Sequence, residues 1–396
     1  AILADESVLR GVIKQELGEI RENFAVERRT SIEHDDGDLE DEDLIEDDDV
    51  VVVVTARGYV KSVAVDAFRA QGRGGRGVTG ARLGDEDFIA HLVQTTNKST
   101  LLFFTNQGRV YRLKAYRIPR SERTSRGTAL VNLLQLQEGE AVQAVIDTKE
   151  FAAESYLMFV TAMGVVKKTP MASYNTRLSG GLIAINLRDG DELVTVLRTS
   201  GDDDVLIVTR SGQGIRFSER PREKDDAAGQ SEVLGVRSMG RNSSGVRGIR
   251  VRGDDRVVAA DVVDEDRLLL TITENGYGKR TAPSEYPIRN RGGQGVKSHH
   301  VTEKVGPVVA ALLVADDDQI LMVSDTGIII RTTVDKIRTT GRSSQGVRVM
   351  SVGEARVAAV TIVVAGDDAA EDVELATVGA GDAADLADEP VTDADG

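Results

Sequence analysis

The chain has 396 residues with no Cys, no Trp and 4% aromatics, so disulfides and thiolate metal sites are excluded and aliphatic side chains must supply the core. The net charge of −16 is unevenly spread: residues 31–50 hold 12 acids and no Lys or Arg, residues 366–396 hold 11 and none, and residues 51–365 carry 44 Lys plus Arg against 36 Asp plus Glu. A basic body between acidic tracts points to a polyanionic ligand; no apolar run approaches the ~20 residues of a membrane span, and no signal-peptide pattern opens the chain.

The chain opens at Ala1 inside a helical pattern, as expected of a piece of a longer cytosolic protein. Leu9, Ile13, Leu17, Ile20 and Phe24 fall on one face of an amphipathic helix over residues 5–24. Gly11 and Gly18 weaken it by up to about 1 kcal/mol each, so it should depend on packing against a partner. The acidic stretch that follows repels itself and is expected to be an extended linker, over 31–49.

From residue 50 a unit recurs six times. An apolar strand runs into Thr/Ser-x-x-Gly at Thr55–Gly58, Thr105–Gly108, Thr161–Gly164, Thr209–Gly212, Thr273–Gly276 and Ser324–Gly327, with glycines 50, 56, 48, 64 and 51 residues apart. The first strands (Val50–Val54, Leu101–Phe104, Tyr156–Val160, Val205–Val208, Leu268–Ile272, Ile320–Val323) are apolar without alternation, which predicts burial on both faces. Second strands such as Arg109–Leu113 and Val165–Lys168 follow the turn. Third strands open at the hinges Gly77-Val78, Gly127-Thr128, Gly181-Leu182, Gly245-Val246, Gly295-Val296 and Gly346-Val347. Fourth strands are predicted at Phe88–Gln94, Ala141–Asp147, Leu193–Arg198, Val257–Val263, Val308–Val314 and Val357–Val364. Four strands in each of six repeats predict an all-β protein of radial blades. A polar insertion near Arg220–Glu232 reads as a mobile loop, and the tail from Gly366 has too few apolar residues to fold.

Four positions after the turn glycine stand Arg112, Lys168, Arg216, Arg280 and Arg331, with Lys61 one place earlier in the first repeat. This recurrence predicts positive charge at regular intervals along one rim. Other candidates there are Lys114, Arg117, Arg126, Lys167, Arg177, Lys279, Arg338, Arg342 and Arg348. The sharpest motif is Gln71-Gly72-Arg73-Gly74-Gly75-Arg76-Gly77. It formally contains a dinucleotide fingerprint, but a polar loop precedes it and a strand follows, where that fingerprint needs strand then helix. A structure-neutral loop is the plain alternative. The favoured reading is a phosphate clamp, with glycine N–H groups and two guanidinium donors. Arg289, Arg291, Gly292, Gly293 and Gly295, with Lys297, echo it in the fifth repeat.

No P-loop or His-Glu-x-x-His pattern is present, and the four histidines lack metal-ligand spacing. Asp202–Asp204, Asp264–Asp266 and Asp316–Asp318 read as turn residues. No catalytic set and no metal site are expected.

These residues together resemble the C-terminal region of the DNA gyrase A subunit, of the actinobacterial kind. Gln71, Arg73, Gly74, Gly75, Arg76 and Gly77 match its seven-residue box; Gly72 departs, standing where a basic residue is usual. The blade-five copy lacks the leading Gln and the last basic residue and is a weaker second box. The resemblance implies a six-bladed β-pinwheel over 50–365 with strand exchange between blades. Residues 1–30 would be the last helix of an upstream DNA breakage-reunion region, and 366–396 a disordered acidic tail. It further implies that double-stranded DNA wraps the rim with positive handedness. The catalytic tyrosine would lie upstream, the ATP and Mg²⁺ sites elsewhere in a holoenzyme with two B subunits, and this fragment would need no cofactor. The isolated piece is expected to be monomeric, the whole cytoplasmic and nucleoid-associated. The rivals are the topoisomerase IV counterpart, a protein-binding propeller and, with least support, a propeller hydrolase.

Overall fold

The computed structural model describes residues 6–24, 44–65, 87, 89–122, 125–152, 154–176, 180–220, 222–224, 231–326, 328–353 and 355–363. The chain divides into two units, Ala1–Leu44 and Ile45–Gly396. Among the described residues the first contains one helix, Glu6–Phe24, with an Arg10–Glu6 ion pair one turn apart. Its apolar stripe is formed as the spacing predicts, but Ile13, Leu17, Ile20 and Phe24 all remain exposed.

The second unit is six antiparallel sheets arranged as blades. Each turn is built the same way: the Thr hydroxyl accepts from the backbone N–H four residues on, at 3.2 Å for Thr55, 3.1 Å for Thr161 and 3.3 Å for Thr273. In the five Thr turns the glycine N–H closes the turn on the Thr carbonyl. Gly164 illustrates why glycine is required. Its φ is +78°, and a Cβ there would sit 2.7 Å from the Ile249 carbonyl oxygen.

Blade three shows the strand order. Leu193–Thr199 pairs with Tyr156–Thr161, which pairs with Val165–Pro170, and the fourth position is taken by Val246–Arg247 of the next repeat. The same exchange brings Thr128–Ala129 to blade one, Leu182–Ile183 to blade two, Val296–Lys297 to blade four and Val347–Arg348 to blade five. Blade six has three strands among the described residues: Ile329–Thr333, Gln319–Ser324 and Val357–Val363. The predicted strands that fall among the described residues thus stand within a residue or two of their expected bounds, while the one opening at Gly77-Val78 lies outside the described residues, as does the tail from Gly366. The polar insertion differs, since Arg222–Lys224 and Ser231–Val233 pair as a short antiparallel ribbon.

Fourth strands of neighbouring blades pack on one another, for example Val257–Val262 on Val308–Val314 and Leu193–Thr199 on Val142–Thr148. They therefore line the centre, and the borrowed strands form the outer edge. First strands are buried on both faces; all five residues Val50–Val54 lie within the core. Apolar clusters fill the gaps between successive sheets. Between blades two and three, Phe104 meets Phe159 edge-on at 5.4 Å and Tyr174 at 6.0 Å.

Candidate nucleic-acid interface

Because the borrowed strand is outermost, its exposed residues define the rim. Its second residue pairs with the first residue of the host blade's second strand: Arg247 with Val165, Lys297 with Gln213, Arg348 with Tyr277. All three cations are exposed. In blades one and two this position holds Ala129 and Ile183, although Ile183 lies opposite Arg109. Arg126, just before the borrowed strand of blade one, lies 4.0 Å over the Tyr59 ring and is exposed, as are Arg117, Arg289 and Arg338.

The cations that recur after the turn glycine are not on this rim. Lys61, Lys167, Lys168, Arg216, Lys279 and Arg280 are all buried, which corrects the expectation drawn from their spacing. Strand exchange is the physical reason. It folds the incoming loop of the next repeat over these positions, and parallel bridges Lys168↔Ser238, Arg216↔Ile288 and Arg280↔Thr339 record the contact. Their donors are consumed locally. Arg216 binds Asp204 at 2.8 Å and the Pro283 carbonyl at 3.3 Å. Arg280 binds the Ile337 carbonyl at 2.5 Å, the Asp335 carbonyl at 3.1 Å and Asp316. Lys168 lies 3.6 Å from Glu219. The half-buried members follow suit: Arg112 donates to the Thr176 carbonyl at 2.5 Å, Lys114 to that of Lys98 at 3.0 Å and Arg331 to Gln319 at 2.5 Å. Recurrence in blade register reports a stitch between repeats.

Burial shows in the charge states. Lys167 is pushed down to about 7 by burial, with Arg241 adding repulsion. Burial also takes Lys279 to about 8, and His299, beside Lys279, to about 4. His299 is a core residue bonded to Thr271 at 2.9 Å.

In the blade-five box, Arg291 donates Nε to the Gly235 carbonyl at 2.8 Å and Nη1 to that of Arg247 at 3.4 Å. It fixes the loop, while Arg289 and Lys297 are left exposed. Arg289, Asn290 and Gly293 line a cavity of ≈ 740 Å³ there. The first box (Gln71, Arg73, Gly74, Gly75, Arg76, Gly77) and Arg177 lie outside the described residues. Among the described residues no His, Asp and Glu cluster could hold a metal ion.

Two features escaped the sequence reading. Arg188, Arg250 and Arg256 join Arg247 around a cavity of ≈ 480 Å³, and Lys304 and Arg356 join Arg348 around one of ≈ 450 Å³ two blades on. Second, an Arg stands four residues before every hinge glycine: Arg73, Arg123, Arg177, Arg241, Arg291 and Arg342. Two of them bond the carbonyl of the preceding rim cation, Arg291 to Arg247 and Arg342 to Lys297 at 3.2 Å. Loop lengths differ between repeats, so counting forward from the turn glycine misses this register, whereas counting back from the hinge finds it.

The family described as DNA gyrase C-terminal domain, beta-propeller, matches residues 49–96, 99–149, 155–200, 203–220, 234–264, 267–315 and 318–363. The chain belongs to the DNA gyrase C-terminal domain family. Its relatives include the DNA gyrase A subunits of Mycobacterium bovis, 44% identical over 89% of this chain and 41% of that protein, and of Mycolicibacterium smegmatis, 41% identical over 98% and 44%. The chain thus spans about two fifths of the length of these curated relatives. Among solved structures it is similar to the C-terminal domain of DNA topoisomerase IV (TM-score 0.68, 25% identity, 82% of this chain and 96% of that one). It is also similar to a DNA gyrase A C-terminal domain (TM-score 0.62, 27% identity, 80% and 100%). The segments that match the gyrase family follow the blades, each opening at or just before a first strand except where the polar insertion splits the fourth.

Proposed function

We propose that this domain binds double-stranded DNA along its outer edge and wraps it, as the C-terminal part of a gyrase A subunit. The observation that carries the reading is the register of Arg247, Lys297 and Arg348. Three successive blades present an exposed cation at one position of the outermost strand. Evenly spaced charges without base-reading geometry suit a phosphate backbone, and counterion release supplies the affinity. Bending 20–30 base pairs of duplex through 40–90° costs about 1–6 kcal/mol, so several contacts must act together.

In the holoenzyme the wrap would present a neighbouring DNA segment to a cleavage gate, turning ATP-driven strand passage into negative supercoiling. Cleavage, ATP and Mg²⁺ then belong to other regions and to the B subunit in an A2B2 assembly, and the domain itself is a non-catalytic, cofactor-free monomer acting at the nucleoid in the cytoplasm. The clamp at Arg73 and Arg76 would start or close the wrap.

The test is a titration of ~150 base-pair duplex at several salt concentrations, with topology read after ligating nicked circles. Wrapping requires a steep salt slope, about −0.9 per phosphate neutralised, together with positive writhe. A shallow slope with unchanged linking number removes the proposal.

A further inference from the structure

The position three residues after each turn glycine alternates in kind around the wheel. It is Lys61, Lys167 and Lys279 in blades one, three and five, and Tyr111, Ile215 and Ile330 in blades two, four and six. The three lysines are buried, with Lys167 and Lys279 at 0% exposure. Each ammonium donates to at least one carbonyl oxygen of the loop that the next repeat sends over its blade. Lys61 donates to Ser125 at 3.0 Å. Lys167 donates to Arg241 of that loop and, at 2.5 Å, to Ala184 of its own repeat. Lys279 donates to Gly341 at 2.9 Å and to Arg342 at 2.5 Å.

These loops carry the rim. Ser125 immediately precedes exposed Arg126, and the loops of Arg241 and Arg342 lead into the borrowed strands bearing Arg247 and Arg348. We infer that Lys61, Lys167 and Lys279 are positioning residues for the DNA-binding edge, each buried ammonium presetting the cation-bearing loop of the following repeat. The inference rests on the proposed DNA wrapping for its functional meaning.

The physical case is one of compensation. A charge held out of water is costly unless its donors are satisfied, and an aliphatic residue at the same place would keep the blade packed, as Ile215 and Ile330 do. What the aliphatic residue lacks is a donor for the loop carbonyls. In blade four, where Ile215 offers no donor, the Arg of the incoming loop, Arg291, makes a further bond of its own, from Nε to the Gly235 carbonyl. The wheel is therefore a set of blade pairs, with an ammonium anchor at every second junction.

The test uses the full chain with Lys167→Met and Lys279→Met, separately and together, and Ile215→Val as control. Two readings are taken: amide hydrogen exchange in the free protein, and affinity for ~150 base-pair duplex across salt. The expected result is exchange roughly tenfold faster at 235–247 for Lys167→Met and at 338–348 for Lys279→Met, with blade strands unchanged. DNA affinity should fall roughly tenfold per substitution, the worth of a lost charge-assisted contact, and the salt slope should shrink by about 1 each. If the parent chain fails to wrap DNA yet the loops loosen as described, the wrapping proposal falls and the positioning role stands. Unchanged loop exchange overturns the inference whatever the DNA result. A Met variant that cannot fold also overturns it, because the lysine is then needed for the blade itself.

Discussion

Arg216 Nε and Nη2 both donate to one oxygen of Asp204, at 3.0 and 2.8 Å, and both side chains are about nine-tenths buried. The pair joins the second strand of blade four to the start of its first, while Arg216 also holds the Pro283 carbonyl of the next repeat. Removing one partner of such a pair leaves a charge without compensation, at a cost of about 3–5 kcal/mol. Arg216→Met should therefore lower the denaturation midpoint in urea by that equivalent. The double variant with Asp204→Ala should recover part of the loss. Any fall in DNA affinity, measured where the single variant is still folded, should come with faster amide exchange in the loop from Pro283 to Arg289 that Arg216 holds. A fall in affinity with that loop unchanged would return Arg216 to the DNA surface.

The exposed cations of the borrowed strands should behave in the opposite way. Arg247→Ala, Lys297→Ala and Arg348→Ala remove charges from the outer edge of the wheel. Surface changes of this sort usually stay within about ±0.5 kcal/mol of stability. Each should reduce the salt slope of DNA binding by about 1 and weaken binding uniformly across sequences. Fluorescence anisotropy with two unrelated duplexes, alongside urea denaturation of each variant, checks both statements.

The two sets of cations show what a sequence can and cannot reveal here. First strands such as Val50–Val54 and Leu101–Phe104 are legible because burial on both faces leaves an unbroken apolar run, and the Thr-x-x-Gly turns because each needs a hydroxyl and a positive φ. The fate of Lys168, Arg216 and Arg280 was not legible. It depends on carbonyls brought from the next repeat by strand exchange, a contact distant in sequence. A charge repeating in register reads alike on a rim and in a seam. The rim positions Arg247, Lys297 and Arg348 stand two places after a hinge glycine, but only the strand order shows that they are outermost.

Stability should rise with pH across the neutral to alkaline range. Lys167 and Lys279 have folded values of about 7 and 8 against an ordinary 10.5. Between those limits the unfolded chain binds more protons than the folded one, so raising the pH favours folding. The penalty for burying the ammonium groups is complete below the folded values and fades as the pH climbs. Burial raises Tyr174, and holds Tyr286 up at about 12, so above pH ~10 the unfolded state gains by ionising them and the trend reverses. Thermal midpoints from about pH 6.5 to 11 should pass through a maximum near pH ~9–10. Lys167→Met should flatten the rising limb; an unaltered rise in that variant would show that another group drives it.

The end of the acidic stretch provides a prediction at the other extreme of pH. Residues from Ile45 belong to the second unit, and Asp47 is fixed there rather than extended in solvent. Its carboxylate accepts from the Lys98 backbone N–H at 3.0 Å and from Lys149 Nζ at 3.2 Å, while Asp48 pairs with Arg120 at 2.6 Å. Hydrogen bonds, first from the Thr96 hydroxyl and then from the Lys98 amide, hold Asp47 down at about 2. A carboxyl lowered in the folded state contributes its anchoring fully above the ordinary value near ~4, and loses it as the pH falls through the folded value. Asp47→Asn should therefore loosen this attachment at neutral pH, seen as faster proteolysis between residues 44 and 49. In the parent chain, amide exchange at Lys98 should stay slow down to about pH 3 and rise only below it, once correction is made for the intrinsic pH dependence. Exchange that rises already near pH ~4 would mean that the carboxylate is not held by these donors, and that the acidic stretch is free to its end.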